Sequence, residues 1–319
     1  MTQIKRMGRG RNTLAVFLLL LLFVLLAGII FFRALYGKLN ADLTRGDSGM
    51  LNPSGITNIL LIGVDNDFAG GMDQLGNADG LIIASINEKS DRIVLTSLMR
   101  DIRVQVPDGY RTKLTLVYHE GGVPLLIDTI EQNFDITIDS YVLVNYLSVI
   151  QIVDAVGGIT LELSSEEVHY MDEKIQNLCI MTGEAYEDHR IRQADGGTIT
   201  LNGLQTAAYL RGRYAGNADF ERTERARSVL MALRGKVKDM GLSELRKLTD
   251  TVLPCITTDM SPGMLLSLGI KAPLLSKYEV ISERIPVDGS FWFSEESYGS
   301  FVDIDFDLNC EHLKNVIYG

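Results

Sequence analysis

Two aspartates and a set of arginines are the residues of this chain best suited to chemistry. Asp65 directly follows the apolar run Asn58–Val64 (NILLIGV), and Asp79 directly precedes another, in NADGLIIAS. Carboxylates at the ends of two buried strands can share one rim of a sheet and offer oxygen ligands to Mg2+. That ion takes one or two carboxylates and leaves its other positions to phosphate and water. Both residues also suit turns and caps, a role that Asp often fills, and sequence position leaves the two roles open. The cations are more telling. Arg100 stands in SLMRD, Lys113 in GYRTKLTLVYHEGG, Arg211 and Arg213 in LRGR, and Asp219, Arg222 and Arg225 in DFERTER. Asp219 is placed to cap a helix, leaving Arg222 and Arg225 one turn apart near its start. Arginine captures phosphate oxygens through two parallel donors, and a helix N-terminus adds favourable potential. Six such cations in an acidic domain need either carboxylate partners or an anionic ligand; Asp101, Glu221 and Glu224 offer the first at close range. Arg103, Arg111 and Arg227 read as solvated.

Other chemistries lack their signatures. The chain has no P-loop GxxxxGK[ST], no GxGxxG after a strand and no GxSxG elbow, which argues against the usual nucleotide folds and an α/β-hydrolase. Four scattered histidines and no CxxC pair give no zinc-ligand spacing. His119, in YHEGG, has no recognisable nucleophile partner and reads as structural. Cys179, Cys255 and Cys310 are an odd count, so at least one thiol is unpaired. One bridge, or three small buried residues, both fit.

These residues need elements to position them. Asn58–Val64 is a continuous apolar run, the mark of a strand buried on both faces. Leu81–Ile86 and Ile93–Leu98 follow as strands joined by a turn around Asn87–Asp91. Leu125–Phe134 has helical spacing, Tyr141–Val144 returns to strand, and Leu147–Val156 is helical up to Gly157-Gly158. Ile159–Leu163 is another strand. Residues 166–200 form a polar excursion with a weak helix signal over Glu166–Leu178. Helices dominate from Asn202 to Leu253, and a β-rich stretch, Tyr278–Phe293, precedes a last helix near Cys310–Ile317. Strands alternating with helices predict an α/β protein, an α-β-α sandwich around a central mixed sheet. No boundary inside 58–319 stands out, so this is one domain.

The charge balance divides the chain. Its 319 residues carry 30 Lys+Arg against 41 Asp+Glu, a net charge of -11. Residues 1–32 hold Lys5, Arg6, Arg9 and Arg11 and no acid, so the rest carries 26 cations against 41 acids, or -15. An acidic body of this kind excludes nucleic acid as the main partner. The uncharged run 13–32 is long enough, at about 1.5 Å per residue, to cross a hydrocarbon core of about 30 Å. Basic residues before it predict a cytoplasmic N-terminus. A cleaved signal peptide would have a shorter apolar region and a small-x-small site, whereas this run ends Ile29-Ile30-Phe31-Phe32-Arg33. The expected order is a cytoplasmic tail (1–12), a transmembrane helix (13–32), a linker (33–57) and an extracytoplasmic domain (58–319), on a single-pass protein of the cell membrane.

Eight stretches, taken in order, resemble the LytR-CpsA-Psr family of membrane-anchored cell-wall enzymes. They are NILLIGVD (58–65), ADGLIIASIN (78–87), LTSLMRD (95–101), KLTLVYHEGG (113–122), IDSYVLVNY (138–146), IVDAVGGITLEL (152–163), LNGLQTAAYLRGR (201–213) and DFERTER (219–225). The resemblance implies a bacterial, Gram-positive phosphotransferase that moves a glycan polymer, such as a teichoic acid or capsule, from a polyprenyl-pyrophosphate carrier onto peptidoglycan. It also implies an apolar pocket for the lipid tail, for which Leu147–Val156 and Val229–Leu233 are candidate walls. On the family pattern, Asp65 and Asp79 would hold Mg2+, with Mn2+ as the alternative. Arg100, Lys113, Arg211, Arg213 and Arg222 would grip the pyrophosphate, with Asp219 and Arg225 in support; Asp65, Asp79 and Arg100 would be the catalytic set. The family commonly has Arg where this chain has Asn77, and Gln where it has Ala226. Those departures keep one alternative open, a lipid-glycan binding or scaffold protein with weak or no transfer; a pyrophosphatase acting on the carrier is a separate one.

Overall fold

The computed structural model describes residues 40–41, 55–65, 76–107, 109–212, 218–238, 240–296 and 299–319. The expected cytoplasmic tail and membrane helix lie outside them. Among the described residues no helix is long and apolar enough to cross a membrane.

The apolar runs assemble into one seven-stranded mixed sheet. Its strands are β1 (Asn40–Ala41), β2 (Ile56–Asp65), β3 (Asn77–Asn87), β4 (Arg92–Leu98), β7 (Ser140–Asn145), β10 (Thr257–Thr258) and β11 (Glu279–Ile285), in the order β1-β10-β7-β2-β3-β4-β11. The β2–β3–β4 meander is antiparallel, while β7 and β11 add in parallel on either side. Side-chain alternation explains why these strands read as uninterrupted hydrophobic runs. Leu60, Ile62, Leu81, Ile83 and Leu98 enter the main core, beneath helices α1 (Leu114–Phe134) and α9 (Phe306–Tyr318). Ile59 and Ile86 pack on the opposite face against α8 (Pro262–Leu275), and Ile82, Ala84 and Leu95 against α6 (Ala218–Lys238). The result is the expected α-β-α sandwich.

A second lobe stands beside the sheet. It contains α2 (Tyr146–Ala155), β8 (Ile159–Ser164), α3 (Ser165–Thr182), α4 (Tyr186–His189), β9 (Gly196–Leu201) and α5 (Gly203–Arg211), with α7 (Leu242–Val252) flanking it. Among the described strands β8 pairs with β9 alone, outside the central sheet. The polar excursion 166–200 therefore belongs to a packed lobe, with Val168, Met171, Ile175 and Leu178 buried in its core.

Three further elements depart from the pattern read in the sequence. Helix α1 begins at Leu114, eleven residues before the apolar periodicity, and breaks its geometry at Gly121 and Gly122 before continuing through Pro124. The glycine pair interrupts the helical period and hides the first segment. Strand β12 (Phe291–Glu296) forms a hairpin with β13 (Gly299–Ile304), whose Gly and Ser residues mask its strand signal. Finally, a two-stranded ribbon of β5 (Arg103–Gln105) and β6 (Arg111–Lys113) bridges β4 and α1. All three cysteines are free thiols, Cys179 and Cys255 buried and Cys310 half-buried.

Candidate functional site

The site is built at the end of the sheet where β2 stops and β3 starts. Gly63 pairs with Gly80 and Val64 with Ala78, so Asp79 is the extra residue of a β-bulge. A bulge re-aims one side chain without breaking the strand. Asp79 is thereby freed from the inward–outward alternation of its neighbours, while Asp65 ends β2 opposite Asn77.

Arg100 follows β4 in a turn clamped from three sides. Met99 N–H donates to Ile285 O, Thr115 N–H to Arg100 O, and Val302 N–H to Asp101 O, all at 2.9–3.0 Å. From that turn, Arg100 Nη1 reaches Asp79 Oδ1 at 2.8 Å and its Nε reaches Asp101 Oδ2 at 3.2 Å. Lys113, at the end of β6, donates to Asp101 Oδ1 at 2.7 Å. Thr115 Oγ1 lies 3.5 Å from Asp79 Oδ1. Asp79, Arg100, Asp101 and Lys113 thus form one continuous chain of charge. Asp101, only 8% exposed, holds both cations at once. It carries no metal-like or phosphate-like pattern in the sequence, and only its adjacency to Arg100 marks it.

On the other side, Arg211 Nη2 stands 3.9 Å from Asp65 Oδ1, and its guanidinium lies 5.0 Å above the Tyr146 ring. Arg211 ends α5, and the start of α5 is fixed by Asp154 Oδ1, which accepts from Gly203 N–H at 2.7 Å. Arg225 is placed differently from Arg100 and Lys113. It is 3% exposed, donates from Nη2 to Gly212 O at 2.8 Å, and packs near the Tyr209 ring. It braces the backbone immediately after Arg211. Tyr209 is pushed up to about 12, chiefly by burial, with Glu167 and Glu224 adding and the Arg225 cation opposing. Arg213 lies outside the described residues. Asp219 and Arg222 fall in the first turns of α6, which starts at Ala218, and their side chains lie outside the described set.

Two arginines read as solvated are engaged instead. Arg103 donates to Ser294 Oγ at 2.8 Å, pairs with Glu296 and with Asp303 at 3.0 Å, and stacks 4.3 Å above the Phe301 ring. Arg227 donates to Glu283 O at 2.9 Å, and burial lowers its pKa. Hairpin β12–β13 and strand β11 supply these partners from more than fifty residues away, which no local pattern announces. Arg111 is exposed.

Behind Asp79 opens a cavity of about 370 Å³. Its floor is Leu61, Gly63, Gly80 and Ile82 of the sheet; its walls are Val149, Ile152 and Val153 of α2 and Ala226, Val229, Leu230 and Leu233 of α6. Both stretches considered as slot walls are therefore there. Among the described lining residues Asp79 is the one charged side chain. Ala226 faces this apolar space. A volume of this class takes a small ligand, and an aliphatic lining with one polar end suits an amphiphile.

Asp65 and Asp79, on adjoining strands, supply hard carboxylate oxygens of the kind Mg2+ takes together with phosphate and water. Among the described residues no group of three or more His, Cys, Asp or Glu side chains comes together. Two carboxylates suffice for an ion whose remaining positions a diphosphate fills, so the residues present fit it.

Comparison with known proteins gives a concordant picture. The model of the LytR_cpsA_psr family matches residues 38–305. Biofilm regulatory protein A of Streptococcus mutans is 31% identical over 246 residues, 72% of this chain and 58% of that protein. The Enterococcus faecalis protein named polyisoprenyl-teichoic acid–peptidoglycan teichoic acid transferase TagU is 28% identical over 267 residues, 80% of this chain and 81% of that protein. The fold is shared with the LytR-CPS2A-psr family protein YwtF (TagT) with bound octaprenyl pyrophosphate lipid, at a TM-score of 0.62 and 20% identity, over 88% of this chain and 100% of that one.

Proposed function

The chain belongs to the LytR_cpsA_psr family, and from that premise we propose that it is a phosphotransferase moving a polyprenyl-pyrophosphate-linked glycan polymer onto peptidoglycan. The observation that carries this reading is the junction at Asp79, where an aliphatic cavity meets a chain of fixed charges. The polyprenyl tail lies in the cavity, where each buried methylene contributes about 0.8 kcal/mol. The diphosphate then falls among Arg100, Lys113 and Arg211. Arg213, Arg222 and Asp219 are the further members of this cradle that the family pattern implies, and Arg225 holds the Arg211–Gly212 backbone in place. Mg2+ or Mn2+ held by Asp65 and Asp79 would neutralise diphosphate charge and so make the phosphorus easier to attack.

Phosphoryl transfer asks mainly for positioning and charge neutralisation, and needs no covalent nucleophile from the protein. Arg100 is held ready by Asp79 and Asp101, so little reorganisation is needed when phosphate arrives. A peptidoglycan sugar hydroxyl attacks the glycan-proximal phosphorus, and polyprenyl phosphate departs with its tail in the cavity. The name TagU borne by a relative points to teichoic acid as the glycan class. The N-terminal run 13–32 would anchor the protein in the cell membrane, with its N-terminus cytoplasmic and residues 58–319 outside among membrane lipid and wall polymer.

The test is product formation by the full-length protein in detergent micelles, given a polyprenyl-pyrophosphate glycan and peptidoglycan oligomers. A Mg2+-dependent glycan–phosphate–peptidoglycan product that disappears in Asp79→Ala supports the reading. Release of glycan phosphate without linkage to acceptor would instead indicate a pyrophosphatase. Donor binding with neither outcome would make this a binding protein, the reading that Asn77 and Ala226 favour.

A further inference from the structure

The chain of charge at Asp79 has a second end. Lys113 and Arg103 face each other directly across the β5–β6 ribbon, and both lie over the Phe301 ring, at 5.6 and 4.3 Å. Arg103 then meets Ser294, Glu296 and Asp303 on one face of the β12–β13 hairpin. On that same face, two residues from Ser294 and directly opposite Asp303, stands Trp292, 55% exposed. It is the single tryptophan of the chain. A tryptophan half in water beside a charged cluster offers a large amphipathic ring of the kind enriched at contact surfaces.

We propose that this hairpin face, with Trp292 as its platform and Arg103, Glu296 and Asp303 around it, is the subsite for the acceptor sugar. The ring offers its face to the C–H groups of a pyranose, while the two carboxylates accept hydroxyl hydrogens and the guanidinium donates to ring or acetyl oxygens. Geometry selects the acceptor rather than the donor glycan. The inference rests on the reading that the lipid fills the cavity behind Asp79, on the face of the sheet carrying Leu61 and Ile82. The hairpin anchors Val302 and Ile304 in the core on the opposite face of that sheet. In-line displacement brings the nucleophile from the side opposite the leaving group. With polyprenyl phosphate leaving toward the cavity, the attacking hydroxyl arrives from the hairpin.

Because there is one tryptophan, its emission reports on this face alone. Full-length protein in detergent micelles is titrated with a soluble peptidoglycan tetrasaccharide, and separately with the lipid-linked glycan donor. The expected result is a saturable change in emission with the tetrasaccharide and none with the donor. In turnover assays, Trp292→Ala raises KM for the acceptor roughly tenfold, leaves KM for the donor unchanged, and is rescued in part by Trp292→Phe. Unchanged emission together with an unchanged acceptor KM would overturn the proposal, as would a response to the donor alone. A saturating response to the tetrasaccharide in a protein that forms no product keeps the subsite and removes the transferase reading, so the two fail separately.

Discussion

At the scale of single residues, the site depends on a few side chains whose partners are distant in the chain. Arg100 touches Asp79, twenty-one positions away, through a 2.8 Å contact. If it stabilises charge on the transferring phosphoryl group, Arg100→Ala lowers kcat by about 10²–10³-fold, as loss of one preorganised donor does. Steady-state kinetics with lipid-linked donor checks this, and circular dichroism shows whether the fold is kept. Tyr209 gives a second prediction. Its pKa is raised from 10.0 to about 12, above all by burial, so the fold accommodates the neutral phenol. Its contribution to stability is complete below about pH 10 and is lost as pH rises toward 12. Melting temperatures measured from pH 8 upward therefore fall less steeply in Tyr209→Phe than in the wild type. Some slope remains, because Tyr118, Tyr186 and Tyr278 are shifted the same way, Tyr118 and Tyr278 chiefly by burial and Tyr186 chiefly by its hydrogen bond to Asp172.

At the scale of elements, glycines decide where space is kept and where it is closed. Gly63 and Gly80 face each other across β2 and β3 on the cavity floor, and a Cβ on either meets the other's backbone at an ordinary 3.6–3.7 Å. A larger side chain there projects into the cavity without straining the strand. Gly80→Leu accordingly keeps the melting temperature close to that of the wild type and weakens binding of a polyprenyl pyrophosphate by tenfold or more, on the order of the loss of two buried methylenes. Isothermal titration in micelles measures it. Gly203 is the contrasting case. A Cβ there would stand 2.2 Å from Ile150 O, where α5 meets α2. Gly203→Ala forces those helices apart and costs about 1–3 kcal/mol of stability in denaturant unfolding, with Arg211 displaced along with α5.

At the scale of the whole molecule, the proposed membrane anchor at residues 13–32 gives a prediction of its own. Membrane fractions should retain the full-length chain through an alkaline wash, and a chain starting at residue 33 should be released; retention of the shortened chain would remove the anchor reading. The thiols give an independent check. With Cys179, Cys255 and Cys310 all free, mobility in denaturing gels is the same with and without reductant, and unfolded protein titrates as three thiols.

Residues 58–64, 81–86 and 93–98 announced the central sheet from sequence alone, because a strand buried on both faces reads as a nearly continuous apolar run, and that requirement is local. The same holds for α2 and its stop at Gly157-Gly158, both of positive φ. The order of Asp65, Asp79, Arg100, Lys113 and Arg211 was also legible, since charges at the ends of apolar runs stand out against them. Tertiary structure alone decided what those charges touch. The bulge that turns Asp79, Asp101 as the bridge between Arg100 and Lys113, Arg225 beneath Gly212, and the hairpin that gathers Arg103 beside Trp292 all arise from pairings between strands and helices far apart in the chain. Such pairings depend on register and packing, which one local stretch of sequence does not encode.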